Sequence, residues 1–270
     1  MKPLKIAISG KGGVGKTTIM AILAQRFTEN FDQVLVIDAD PSPHMAETLG
    51  ITNAGDITPI AEMRELLVER SGKTAGSPFY NINPKIDDLP KRFMLEKDGL
   101  RLMVLGAVQT GDSGCACAEN TVLRRLLVKL LLTDDQAVLL DMEAGVEHLG
   151  RGTIAGVDHL LIVVIPSKSS VRTAMKIRKL AREVGIPRIS FIGNNINDAE
   201  DESFLQELLP DRLIAVFPNA SAIRQAERAG TPVAPLAVNF PTPLDNIMRV
   251  LQGEIDNSGT ATIVSRGEIT

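Results

Sequence analysis

The sequence predicts an α/β protein with a mostly parallel sheet of about seven to eight strands flanked by helices. Three observations predict it. Short β-branched apolar runs alternate with longer amphipathic segments. The runs read as strands buried on both faces, as central parallel strands must be. A glycine-rich turn follows the first run and opens a helical segment.

The apolar runs are Leu4 to Ser9, Val34 to Asp38, Leu100 to Leu105, Ala137 to Asp141, Leu160 to Ile165, Ile189 to Ile192 and Leu213 to Phe217. Between them, Ser170 precedes V-R-T-A-M-K-I-R-K-L-A-R-E-V-G as a predicted cap, and Gly185 and Pro187 supply the stop. The stretch T-V-L-R-R-L-L-V-K-L-L-L predicts an amphipathic helix over Thr121 to Leu132, capped by Asn120 and facing the core rather than a membrane surface. Glu69 to Lys97, rich in Gly, Pro, Asn and Lys, reads as an irregular insertion. Residues 1–254 are expected to form a single nucleotide-binding domain and 255–270 a polar tail.

Composition narrows the partners. A chain of 270 residues with 44% hydrophobic and 23% charged residues can bury a sizeable core. Its formal charge of -4 gives no basic surplus for nucleic acid, so none is expected. No apolar run approaches the ~20 residues that span a bilayer, and no signal-peptide pattern opens the chain; the cytoplasm, with no membrane attachment, is the expected compartment.

The chemistry begins at Gly10-Lys11-Gly12-Gly13-Val14-Gly15-Lys16-Thr17-Thr18, which satisfies G-x-x-x-x-G-K-[ST] between a strand and a helix. Glycines let backbone N–H groups wrap phosphates, Lys16 neutralises charge, and Thr17 is the predicted Mg²⁺ ligand. Acidic residues end two further strands. Asp141 is the candidate second anchor for Mg²⁺, Asp40 the candidate for orienting water, and Asp38 either a phosphate-side carboxylate or a structural cap. After the sixth predicted strand, Asn195-Ile196-Asn197-Asp198 is a broken N-K-x-D guanine signature with Ile196 in place of lysine, which favours ATP/ADP.

Both cysteines of the chain, Cys115 and Cys117, lie in T-G-D-S-G-C-A-C-A-E-N. A C-x-C turn near a helix start favours thiolates and metal, but offers two sulfur ligands where Zn²⁺ wants four and Ni²⁺ in a sulfur site often takes four. A second copy of the chain is the simplest completion, giving a shared Ni²⁺ or Zn²⁺ site in a homodimer.

The second loop lysine, Lys11, makes G-K-G-G-V-G-K-T-T resemble the deviant Walker A ATPases, which include the nitrogenase iron protein, MinD, ParA and ArsA. With D-A-D-P, G-D-S-G-C-A-C-A-E-N and D-M-E-A-G-V-E-H-L-G-R-G-T, the chain resembles the CooC family of carbon monoxide dehydrogenase maturation ATPases from about Lys5 to at least Pro218. The resemblance implies a deviant Walker A P-loop fold, an Mg²⁺-dependent ATPase and a nucleotide-dependent homodimer. Lys11 would act across it on the partner's phosphates, Asn194 and Pro218 would contact adenine, and Cys115 and Cys117 would carry Ni²⁺ to apo carbon monoxide dehydrogenase. A MinD/ParA-like positioning ATPase and an acetyl-CoA synthase maturation factor remain alternatives.

Overall fold

A parallel sheet built from near-continuous apolar strands has to be covered on both faces, and the computed structural model covers it so. It describes residues 4–51, 57–73, 79–106, 117–132, 137–142 and 156–253. The strands are β1 (Leu4–Gly10), β2 (Val34–Ala39), β3 (Leu95–Lys97), β4 (Leu100–Val104), β5 (Ala137–Met142), β6 (His159–Val164), β7 (Arg188–Ile196) and β8 (Leu213–Pro218). They form one sheet in the order β3-β4-β2-β5-β1-β6-β7-β8, parallel throughout except for the antiparallel β3/β4 edge.

The described helices are α1 (Lys16–Thr28), α2 (Met45–Leu49), α3 (Arg64–Ser71), α4 (Leu89–Phe93), α5 (Cys117–Leu131), α6 (Lys168–Glu183), α7 (Ala199–Leu208), α8 (Ser221–Ala229) and α9 (Pro241–Leu251). Alternate strand residues feed two core layers. Ile6, Ile8, Val36 and Leu139 pack with α1 and α9 on one face. Ala7, Leu35, Ile37 and Leu140 pack with α5, α6 and α7 on the other.

Three details depart from the sequence expectation. The segment expected to be irregular contains α4 and β3, because Leu89 is fully buried and the β3/β4 pair closes the sheet edge. Helix α6 is capped by Ser167, whose Oγ accepts the Ser170 N–H at 3.2 Å; Ser170 is buried and its own Oγ accepts the Ile165 N–H. Helix α5 starts at Cys117 rather than Thr121, with Asn120 buried inside its first turns. Ala118 and Glu119 favour helix, and Glu119 suits the positive end of its dipole.

The strongly apolar α5 does face the core, with Val122, Leu123, Leu126, Leu127, Leu130 and Leu131 all buried. Each such leucine contributes about 1.5–3 kcal/mol of burial. Among the described residues, no helix is long and apolar enough to cross a membrane.

Candidate functional site

In an open parallel sheet a ligand site forms at the carboxyl ends of the strands, beside the point where the strand order reverses. Here β1 occupies that point: the chain runs from it to β2, β4 and β5 on one side and to β6, β7 and β8 on the other. The loop that follows β1 enters α1 at Lys16 through Gly13 and Gly15, both with left-handed backbone (φ 77° and 87°). Only glycine adopts this without strain. Gly15 is doubly constrained, because a Cβ there would lie 2.4 Å from the Asn194 amide nitrogen.

Asn194 is buried and donates its Nδ2–H to the Val14 carbonyl at 2.8 Å, 180 residues away. It therefore clamps the loop while also lining the adjacent cavity. Lys16 is almost fully buried. Lys11, by contrast, extends to the start of α6 and donates to Ser169 Oγ at 3.0 Å. Thr18 turns toward α8, where its hydroxyl donates to Glu227 at 3.1 Å.

The acidic residues gather from two neighbouring strands. Asp38 and Asp141 stand directly opposite one another in the β2/β5 register, and Asp141 is also level with Ile8 of β1. Asp38 is spent on structure: its two oxygens accept the N–H groups of Asp40 (3.2 Å) and Met45 (3.0 Å), shaping the loop after β2. Burial pushes its carboxyl up to about 6, with those two N–H groups opposing the rise. Asp40, more open, accepts the Ser42 N–H at 2.9 Å.

Asp141 is fully buried and accepts the Thr17 hydroxyl at 2.7 Å through Oδ2. Its Oδ1 is buried with no hydrogen-bond partner among the described residues. Burial pushes this carboxyl up to about 7, the Thr17 hydroxyl and Lys16 opposing the rise while Asp38 and Asp40 add to it. An orphaned buried carboxylate oxygen beside a threonine hydroxyl is the donor chemistry a hard divalent cation requires, so the residues fit Mg²⁺.

Beside the loop lies a cavity of about 610 Å³, between the loop, the ends of β7 and β8, and α8. That is within the ~300–1,000 Å³ typical of small-ligand pockets. Its wall includes Asn194, Asn195, Asn197, Pro218, Asn219 and Arg224. Asn219 donates to Asn197 Oδ1 at 2.9 Å, Asn197 donates to Asp201 at 2.8 Å, and Arg224 donates to Asn219. In the broken guanine signature, Ile196 is buried and Asp198 caps α7 by accepting the Asp201 N–H.

Sequence reasoning placed the loop, Asp38, Asp40, Asp141, Asn194 and Pro218 at one strand edge, and the structure brings them together there. It missed Ser169, Arg224 and Glu227. The available signal was the S-A-I-R-Q-A-E-R-A pattern of α8, which puts Ile223 and Glu227 one turn apart on a helix following a strand end. Cys115 lies outside the described residues, as does the side chain of Cys117 at the first position of α5. Among the described residues, no group of three or more His, Cys, Asp or Glu side chains is placed to hold a metal.

Residues 5–233 match the CobQ/CobB/MinD/ParA nucleotide binding domain. The chain belongs to that family. Among its relatives, the carbon monoxide dehydrogenase accessory protein CooC of Rhodospirillum rubrum is 40% identical over 232 residues, covering 84% of this chain and 88% of that protein. An uncharacterized ATP-binding protein of Methanocaldococcus jannaschii is 38% identical over 236 residues, covering 85% and 91%. The fold is that of MinD complexed with Mg-ADP from Pyrococcus horikoshii, with a TM-score of 0.63 at 20% identity over 94% of this chain and 96% of that one. In this family member, the match spans β1 to the segment beyond α8 and so takes in the loop, both acidic strand ends and the cavity.

Proposed function

We propose that this chain is a homodimeric, Mg²⁺-dependent ATPase that carries nickel to carbon monoxide dehydrogenase, with residues 1–254 forming the ATPase unit. The observation that carries this reading is the 40% identity to the Rhodospirillum rubrum CooC protein over 84% of the chain.

The proposed division of labour follows the geometry. Backbone N–H groups of Gly12 to Thr17 wrap the β- and γ-phosphates, and buried Lys16 neutralises their charge. Thr17 Oγ1 and the Asp141 carboxylate would hold Mg²⁺, which would supply positive charge to offset that of the phosphates. Asp40, the more open carboxylate of the β2 edge, orients the attacking water. Lys11 leaves Ser169 to reach the partner's nucleotide, supplying positive charge to the transition state. The adenine occupies the cavity walled by Pro218 and Asn219. ATP is favoured over GTP because Asp198 is already engaged as a helix cap and Ile196 faces the core.

Nickel is the cargo. Cys115 and Cys117 supply two thiolates from each chain, and two chains complete a four-sulfur site. Zinc competes for the same ligands.

The test is an anaerobic Ni²⁺ titration with and without ATP, read by light scattering during size exclusion. One Ni²⁺ per dimer, lost in Cys115→Ser, is expected. Binding of Ni²⁺ by the monomer at undiminished affinity overturns the shared site. Activation of apo acetyl-CoA synthase but not of apo carbon monoxide dehydrogenase reassigns the client.

A further inference from the structure

Residues 168–182 of α6 hold six basic side chains, Lys168, Arg172, Lys176, Arg178, Lys179 and Arg182, and no acidic one. Arg178 is tied to Asp211 at 2.7 Å. The other five are exposed and follow each other at three- or four-residue intervals, so they form one ridge on the solvent side of the helix, about 21 Å long. Lys179 meets Glu183 only at 3.9 Å, with both side chains largely exposed. Lys168, Arg172, Lys176 and Arg182 have no ion-pair partner among the described residues.

Helix stability alone disfavours this arrangement. Like charges four residues apart repel, as at 168/172 and 172/176. Lys168 also stands at the positive end of the helix dipole, with no acidic residue in the first turn to offset it. The field is therefore concentrated outward, on a molecule whose formal net charge is -4.

We infer that the α6 ridge docks an acidic protein surface. On the functional reading given above, on which this inference rests, that surface belongs to the client enzyme. A protein fits better than a nucleic acid for two reasons. Helix α7, which packs in the same core layer, carries Glu200, Asp201, Glu202 and Glu207 and no basic residue, so the positive surface is confined to the single α6 ridge, which a compact acidic patch can match and a long polyanion crossing both helices cannot. Met175, one of the few exposed large hydrophobics among the described residues, interrupts the ridge at its middle and offers the apolar contact a protein interface uses. The ridge also begins beside Ser169, the acceptor of Lys11, so the docking surface adjoins the nucleotide site.

The experiment measures association of the full-length chain with purified apo carbon monoxide dehydrogenase, with ATP and without, as salt is raised past ~0.15 M, where the Debye length is ~8 Å. The charge-reversed pair Lys176→Glu/Lys179→Glu should slow association about ten-fold or more and flatten its salt dependence. Lys176→Arg/Lys179→Arg should bind as the wild type does. Both pairs should keep the basal ATP turnover and melting temperature of the wild type. Wild-type binding that charge reversal leaves unchanged overturns the ridge and leaves the functional reading standing. No wild-type binding in any nucleotide state overturns the functional reading and the ridge with it. Binding of a labelled DNA duplex or of anionic phosphatidylserine vesicles that charge reversal abolishes, at affinities above those for the client, also overturns the protein-docking proposal.

Discussion

Replacing Asn194 by alanine separates two jobs that a residue at this position can do. Its Nδ2–H donates to the Val14 carbonyl at 2.8 Å, and the residue is only 7% exposed. Removing the donor leaves a carbonyl of the loop unpaired in a buried place, a loss of about 1–3 kcal/mol. If that cost falls on holding the loop in its phosphate-ready shape, every ligand that uses the loop weakens together. At ~1.4 kcal/mol per decade, the loss is about 5- to 150-fold in affinity. Isothermal titration of Asn194→Ala with ADP, GDP and inorganic tripolyphosphate gives the answer. The clamp requires all three to lose the same factor. If tripolyphosphate binds as before and only the adenine nucleotide weakens, Asn194 reads the base and the clamp argument is wrong.

Two further outcomes follow from the buried titratable groups. Asp141→Asn should stabilise the ligand-free protein at pH 8, because a carboxyl pushed up to about 7 from 3.8 pays for ionisation that an amide does not. The gain is about 4 kcal/mol at most, grows between pH 3.8 and 7, and vanishes below pH 4; urea unfolding measures it, and Mg-ADP should no longer raise the melting temperature. His159 is buried in β6 against the Ser190 hydroxyl, and burial pulls its pKa down to about 3 from 6.5. The unfolded chain therefore takes a proton that the folded state refuses, so stability is intact above pH 6.5 and falls in acid, by about 2 kcal/mol at pH 5. His159→Gln should remove that slope, and a difference from wild type that stays constant between pH 7.5 and 5 contradicts a neutral buried imidazole.

What the sequence made legible was whatever its local pattern determines. Runs such as V-L-V-I-D-A and A-V-L-L-D-M have no polar face, so they belong inside a parallel sheet, and an acidic residue at their ends falls at the ligand edge. The loop motif is equally local. Strand β3 was not legible because Leu95-Glu96-Lys97 is three residues long and only partly buried, and it exists through its pairing with β4. The cap of α6 was misplaced by three residues among Ser167, Ser169 and Ser170, since composition does not tell which serine faces the helix end. The Asn194 clamp and the Lys11 to Ser169 contact span 180 and 158 residues, and only the assembled fold pairs them.

The same edge logic relates the two halves of the proposed function. Helix α5 has fifteen residues and rises about 22 Å from Cys117. Strand β5 has six residues and returns about 20 Å to Asp141 and Met142. Helix and strand of such a crossover run in opposite directions, so the two lengths nearly cancel. The backbone of Cys117 thus starts at the same edge of the sheet where Asp141 meets Thr17, although 24 residues separate the two in sequence. On the proposed reading, a second chain that approaches this edge closely enough for Lys11 to reach its phosphates also approaches the backbone of Cys117. A nucleotide and a metal held there would act on one interface, and a ligand that favours the closed dimer at one site would favour it at the other.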